Sequence, residues 1–143
     1  DAAYIRRIRA LTQRPLIQAF RMGAADAANA AAAVRDSRDE AAADAATAED
    51  GGSSVLAAEE SAADLVLLDS GAGCGRAFCW ELAKQVKRPY FLAGGLDAKT
   101  VGDAIRLLHP FAVDVSSGIE TDGRKDREKM AAFVAVVRKE GRL

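Results

Sequence analysis

The sequence has few of the residues that build disulfide frameworks and metal sites. Its 143 residues include two cysteines and one histidine. Two cysteines are too few for a disulfide scaffold, and neither Cys74 nor Cys79 has a cluster of metal-ligand residues beside it. We therefore expect a reducing, cytoplasmic setting and no metal site.

Long apolar runs and an excess of one charge are also missing. No stretch approaches the roughly 18 consecutive apolar residues of a membrane-spanning helix, and no signal peptide is evident. The 20 basic residues nearly balance the 21 acidic ones. This balance excludes a strongly basic surface for nucleic acid or anionic lipid, so we expect neither nucleic-acid nor membrane partners.

Large apolar residues are scarce between residues 24 and 63, where 18 of 40 residues are alanine. Alanine favours helix, so Asp26 to about Ala48 is predicted to be a surface helix. Gly51-Gly-Ser-Ser54 then opens a loose acidic loop. We interpret 24–63 as a solvated insertion in a single 1–143 domain, with a dedicated binding tail as the alternative.

The remaining sequence alternates regularly between strand and helix patterns. Four apolar strands are predicted, at residues 16–20, 64–69, 89–93 and 111–115, with helices between them and after Asp126. Such alternation with short connections indicates parallel strands and crossover helices. The repeat of roughly 25 residues is that of a TIM (β/α)8 barrel, of which four units are half. We predict an α/β fold covering about the C-terminal half of such a barrel.

Polar or glycine residues follow three of these strands. They are Asp69, the Gly94-Gly95 pair, and Asp114 with Ser116-Ser117-Gly118. In a parallel barrel these ends share one face, and the last two strands commonly form a phosphate site from backbone amides. The simpler interpretations are a solvated carboxylate at Asp69 and a tight turn at Gly94-Gly95. Asp114 is harder to explain in that way, because a carboxylate within an apolar strand is costly unless it has a partner.

Three segments, in order, resemble the C-terminal half of phosphoribosylanthranilate isomerase. They are Leu65-Val-Leu-Leu-Asp-Ser70, Phe91-Leu-Ala-Gly-Gly-Leu96, and Val113-Asp-Val-Ser-Ser-Gly-Ile-Glu120 followed by Lys125-Asp126. Gln18-Ala-Phe-Arg21 also resembles the family's fifth strand. The likeness covers about Asp1 to Val137, apart from the alanine-rich stretch.

The resemblance implies an enzyme of tryptophan biosynthesis. It would convert N-(5-phosphoribosyl)anthranilate, without a cofactor, to 1-(2-carboxyphenylamino)-1-deoxyribulose 5-phosphate by an Amadori rearrangement. Asp69 matches the family's general acid, and Asp114 matches the aspartate that contacts the ribose hydroxyls. The phosphate-binding positions correspond to Gly94, Gly95, Ser117 and Gly118, and Ser116 is included among the substrate-binding residues. For Arg21 we weigh a substrate carboxylate against an acidic neighbour, and favour the neighbour.

The family's general base is not found in this sequence. It is a cysteine in a first-strand Lys-Ile-Cys-Gly motif, and Cys74 and Cys79 lie elsewhere and do not replace it. The chain also begins at Asp1 and not at a methionine. We therefore expect an N-terminal half-barrel upstream in the full-length protein, and an isolated chain that binds phosphate but has little or no activity.

Two alternatives stay open at this stage. One is another phosphate-binding barrel isomerase or synthase of amino-acid biosynthesis. The other is a non-catalytic half-barrel that dimerises through the open edges of its first and last strands.

Overall fold

The computed structural model describes residues 2–22, 54–69 and 76–141. In chain order the elements are α1 (Ala2–Leu11), β1 (Ile17–Arg21), α2 (Ser54–Glu59), β2 (Leu65–Asp69), α3 (Arg76–Ala83), β3 (Tyr90–Ala93), α4 (Val101–Leu108), β4 (Ala112–Val113), a 3₁₀ helix (Ser117–Ile119), β5 (Glu120–Thr121), β6 (Arg124–Lys125) and α5 (Arg127–Glu140). No helix in this described part is long and apolar enough to cross a membrane.

The first four strands form one parallel sheet in the order β1-β2-β3-β4. In the register, Ile17 lies beside Leu65, Val66 beside Tyr90, and Phe91 beside Ala112. Parallel neighbours need a crossover connection. All three pairings are parallel, so the predicted parallel series of strands is confirmed.

One face of this sheet is packed under helices and forms the core. Val66 and Leu68 of β2 have no exposed surface, and Leu92 of β3 is 2% exposed. They share the core with buried residues of the helices, among them Val101 of α4 and Phe133 of α5. Because side chains alternate along a strand, this packing leaves the residues between them on the opposite, inner face.

In the described part of the protein, the last helix, α5, is covered on just one side. The apolar spacing of Met130, Phe133, Val134 and Val137 predicts that all four face inward. Phe133 is buried, whereas Met130 and Val134 are 43% and 44% exposed. The helix packs against α4 and the 3₁₀ helix. The apolar stripe is therefore wider than the surface that covers it.

The spacing of Tyr4, Ile5, Ile8 and Leu11 predicts one apolar face on α1, and this face is likewise incompletely covered. Ile5 and Ile8 are partly buried, but Tyr4 and Leu11 are 60% and 81% exposed. The spacing predicted the helix correctly and overestimated the area that it buries.

The segment before β2 is ordered, although we predicted a loose loop there. Ala58 in α2 is completely buried. The Arg88 guanidinium donates hydrogen bonds to the carbonyl oxygens of Ser61 (2.8 Å) and Ala63 (2.6 Å), which fixes the connection. The loop prediction is therefore wrong for residues 54–63. The helix predicted over Asp26 to Ala48 lies outside the described residues.

His109 ends α4 and Asp126 begins α5, the latter as the sequence indicated. His109 closes α4 in the left-handed region (φ 47°), with its N–H bonded to the Ile105 carbonyl. Asp126 caps α5, because its carboxylate accepts hydrogen bonds from the N–H groups of Glu128 (2.9 Å) and Lys129 (3.1 Å). The Thr121 hydroxyl donates a third, at 2.6 Å.

These hydrogen bonds hold the pKa of Asp126 below its usual 3.8, with the Thr121 hydroxyl as the largest cause. A carboxyl with a depressed folded-state pKa contributes stability above its unfolded pKa and loses it as the pH falls through the folded value. We expect Asp126→Ala to lower the urea midpoint of unfolding at pH 7. The deficit should shrink as the pH falls below about 3.8.

Asp126→Asn is the matched variant. An asparagine side chain still accepts from the helix N–H groups but has no carboxyl to titrate. Its urea midpoint relative to Asp126→Ala should therefore change little with pH. A deficit of Asp126→Ala that is the same at pH 3 and pH 7 would contradict this account.

Candidate active site

Four residues form a row across the C-terminal end of the sheet. Arg21 lies beside Asp69, and Asp69 beside Ala93. The β3–β4 register places Asp114 next in the row, one residue past Val113, and the Asp114 N–H bonds to the Leu92 carbonyl at 2.8 Å. The parallel register therefore puts an arginine and two carboxylates at one level on the inner face.

This row forms the floor of a cavity of about 360 Å³. The cavity is lined by Arg21, Asp69, Ala93, Gly94, Gly95, Leu96, Asp114, Val115, Ser116 and Ser117. Six of the seven predicted site residues are in this set, and the structure brings them together from three different strand ends. Ala93 also lines the cavity, although no site role was predicted for it. Its methyl group occupies little of the space between Asp69 and Asp114.

The loop after β3 presents bare backbone. Gly94 and Gly95 have φ values of 91° and 62°, a region that favours glycine. A Cβ added at Gly95 would meet nothing within 4 Å. The loop is thus held in a conformation that only glycine adopts readily, with open space at Gly95.

Gly118 has a different position from the other predicted phosphate residues, because it packs against the β3–α4 loop. A Cβ at Gly118 would lie 1.8 Å from the Leu96 carbonyl oxygen and 3.1 Å from the Asp97 Cα. Gly118 is not among the residues that line the cavity. Its close approach holds the loops after β3 and β4 together.

A short hairpin returns the chain to this second loop. Asp122 and Gly123 have φ values of 50° and 73°, as the two central residues of a type I′ turn require. The hairpin places Lys125 so that its Nζ donates to the Ser116 carbonyl (3.0 Å) and pairs with Glu120 (2.6 Å). The sequence indicated only a polar turn here, so Lys125 was missed as a neighbour of the site.

Asp114 is exposed, which overturns the argument made from the sequence. The ladder of β4 ends at Val113, so Asp114 lies at the strand end and not within it. The carboxylate is open to solvent there, so no desolvation penalty has to be offset. Asp69, at the end of β2, is half-buried.

Arg21 makes no ion pair with an acidic neighbour, contrary to our preferred prediction. Among the described residues no hydrogen bond or salt bridge of its guanidinium is found, although Asp69 is its partner in the sheet register. Cys74 and the side chain of Cys79 lie outside the described residues.

A sequence model of N-(5'-phosphoribosyl)anthranilate (PRA) isomerase matches residues 6–136, which is most of the chain. The chain belongs to this family. The enzyme from Moorella thermoacetica is 53% identical over 70 residues, covering 47% of this chain and 31% of the relative. The enzyme from Streptococcus gordonii is 48% identical over 79 residues, covering 53% and 40%. The aligned part thus spans less than half the length of these PRA isomerases.

Solved PRA isomerases have the same fold. The Thermococcus kodakaraensis structure superposes with a TM-score of 0.67 at 30% identity, over 96% of this chain and 58% of that one. A second was solved in complex with reduced 1-(o-carboxyphenylamino)-1-deoxyribulose 5-phosphate. It has a TM-score of 0.57 at 25% identity, over 94% of this chain and 53% of that one. The predicted TIM-barrel class is confirmed.

The Gly118 contact can be tested by adding one methyl group. We expect Gly118→Ala to lower the free energy of unfolding by about 3 kcal/mol, because a backbone carbonyl cannot rotate away as a side chain can. Equilibrium urea denaturation measures this. Gly123→Ala is the control, since its Cβ would meet open space and only the φ of 73° disfavours it, at about 1 kcal/mol. Equal losses in the two variants would contradict the packing role.

Proposed function

We propose that this chain carries the acid-donating and phosphate-binding part of an isomerase that converts N-(5-phosphoribosyl)anthranilate to 1-(2-carboxyphenylamino)-1-deoxyribulose 5-phosphate. The observation that carries the proposal is the single cavity at the strand ends, with Asp69, Asp114 and two amide-rich loops, in a member of the PRA isomerase family. A relative's complex with a reduced form of that product supports the same ligand class.

The phosphate group would bind between the loops after β3 and β4. Gly94, Gly95, Ser116 and Ser117 line this part of the cavity. Backbone N–H groups at such loops and at the start of a short helix bind anions without a lysine in direct contact. In the proposal Gly118 also belongs to this group, because its contact with Leu96 keeps the two loops adjacent.

Asp69 would act as the general acid. Protonation of the ribose ring oxygen breaks the C1′–O bond and leaves an iminium ion, and removal of the C2′ proton then gives an enolamine that tautomerises to the ketone. A half-buried carboxyl at the cavity floor is well placed to donate the first proton. The exposed Asp114, two strands away, would accept hydrogen bonds from the ribose hydroxyls.

The base that removes the C2′ proton would come from outside this sequence. The first-strand cysteine motif of the family is absent here, and no described residue of the cavity replaces it. Within the described strands, β1 and β4 each have a single neighbour. We propose that four further βα units complete the barrel against these two edges, that the complete enzyme works in the cytoplasm, and that residues 24–63 are an insertion in this half.

The test is complementation. We expect the 143-residue chain alone to show no turnover, and a mixture with a polypeptide carrying the first four βα units of the Moorella thermoacetica enzyme to form product. Chromatography of product from N-(5-phosphoribosyl)anthranilate measures both. Turnover by the isolated chain would contradict the missing-base part of the proposal. A folded mixture that forms no product would contradict the assigned reaction.

In the alternative proposal, two copies of the half-barrel pair with each other through the same two open strand edges. Sedimentation velocity over a range of concentrations tests it. A stable dimer that excludes the complementing polypeptide would favour a non-catalytic binding module.

In the complemented enzyme we expect Asp69→Asn to reduce kcat by about 10²- to 10⁴-fold, the usual loss for a general acid. Asp103→Asn is the matched control, because Asp103 lies on α4 and pairs with Arg106 away from the cavity. Its kcat should stay within twofold. If Asp69→Asn keeps its kcat while still folded, the assignment of the acid is wrong.

Lys125 should strengthen phosphate binding through its bond to the Ser116 carbonyl. We expect Lys125→Met to weaken the binding of inorganic phosphate to the chain by about five- to tenfold, roughly the value of one charge-assisted hydrogen bond at a solvated site. NMR titration measures the dissociation constant. Lys129→Met removes the same charge from a side chain that bonds to the Glu120 carbonyl instead. If the two variants weaken phosphate binding by the same factor, Lys125 acts only through its general charge.

A further inference from the structure

Arg21 is the one basic residue among the described residues that line the cavity. It is the last residue of β1 and lies in the row with Asp69. Three other arginines in the described part are used structurally. Arg9 pairs with Asp64, Arg88 donates to backbone carbonyls, and Arg106 pairs with Glu140. Within the described residues Arg21 has no such bond, and because it lines the cavity its guanidinium is available to a ligand there.

The proposed ligand has two anionic ends. Reduced 1-(o-carboxyphenylamino)-1-deoxyribulose 5-phosphate, bound by a relative, carries a phosphate at one end and a benzoate carboxylate at the other. The amide-rich loops occupy one end of the cavity, after β3 and β4. Arg21 lies at the other end, and two strand spacings from β1 to β3 make roughly 10 Å.

The order of groups across the sheet follows the order of groups along this molecule. From β1 to β4 the row reads Arg21, Asp69, Ala93, Asp114. Along the ligand the sequence is carboxylate, amino-linked C1′, sugar hydroxyls and phosphate. With the phosphate held by the loops, C1′ of this molecule comes beside Asp69 when the carboxylate reaches Arg21, and the ring oxygen of the cyclic substrate, which is bonded to C1′, comes there with it.

We propose that Arg21 binds the carboxylate of the 2-carboxyphenylamino group and so fixes the sugar against Asp69. This inference rests on the proposed function and adds the group that recognises the aromatic end of the substrate. A guanidinium suits the task, because its planar fork matches a carboxylate with two parallel hydrogen bonds and it stays charged at every working pH.

The test compares two ligands and four proteins. The ligands are reduced 1-(2-carboxyphenylamino)-1-deoxyribulose 5-phosphate and the same molecule without the carboxyl group. Calorimetric titration of the 143-residue chain gives each dissociation constant for the wild type, Arg21→Gln and Arg21→Lys. Arg124→Gln, on the exposed hairpin, is the charge-matched control.

We expect the wild type to bind the carboxylated ligand about 10- to 100-fold more tightly than its analogue, as for a charge-assisted bidentate contact. Arg21→Gln should lose that preference and change the affinity for the analogue and for inorganic phosphate less than twofold. Arg21→Lys should fall between, because a lysine keeps the charge but not the fork. Arg124→Gln should match the wild type.

Each contrary outcome decides a different point. If Arg21→Gln weakens both ligands equally, Arg21 supports the fold or Asp69 and the inference is wrong. If the wild type binds both ligands equally and tightly, the inference fails while the proposed function stands. If the wild type binds neither ligand nor phosphate, the proposed function fails and the inference fails with it.

Discussion

The parallel register of the sheet is the constraint on which the candidate site depends. Val66 and Leu68 are completely buried against the helices, and this packing fixes which face of β2 turns inward. Because side chains alternate along a strand, a slip of one residue would move Asp69 to the helix side and expose its buried neighbours to water. The hydrophobic core therefore sets the position of the carboxylate without touching it.

The second constraint is a backbone contact between two loops. The short distance between Gly118 and the Leu96 carbonyl leaves no room for a Cβ, so the chain after β4 has to lie on the loop after β3. Lys125, on the hairpin that follows, bonds to Ser116 in the loop after β4. Because the hairpin brings Lys125 back to Ser116, the motif of the last strand extends beyond the end of β4 as far as Lys125. The hairpin and the lysine hold the loop that the motif begins.

The strand order was predicted correctly, and six of the predicted site residues line the cavity, because both placements follow from local patterns. Apolar runs that end in Asp or Gly specify parallel strand ends, and parallel ends meet at one edge. The prediction misjudged Asp114, since a sequence does not show that a strand's ladder stops one residue earlier. It also misjudged Arg21, because the nearest carboxylate in the register need not be in reach of a guanidinium. Ala93 and Lys125 lie in the quoted motifs but were given no role, because their importance comes from the residues that surround them.

The inner face of the sheet changes character from one end of the strands to the other. Its lower rows are apolar, with Ile17, Leu65 and Phe91 partly or largely exposed in the described part. Charge enters only in the last row, with Arg21, Asp69 and Asp114. Burying the apolar lower rows of such a face under other side chains is favourable. A segment that covers the last row would have to leave room for a ligand. Stability and chemistry are thus separated along the same four strands. In the proposed complete barrel, the apolar rows would provide the driving force for adding the further units, and the polar row would keep one end open to a ligand.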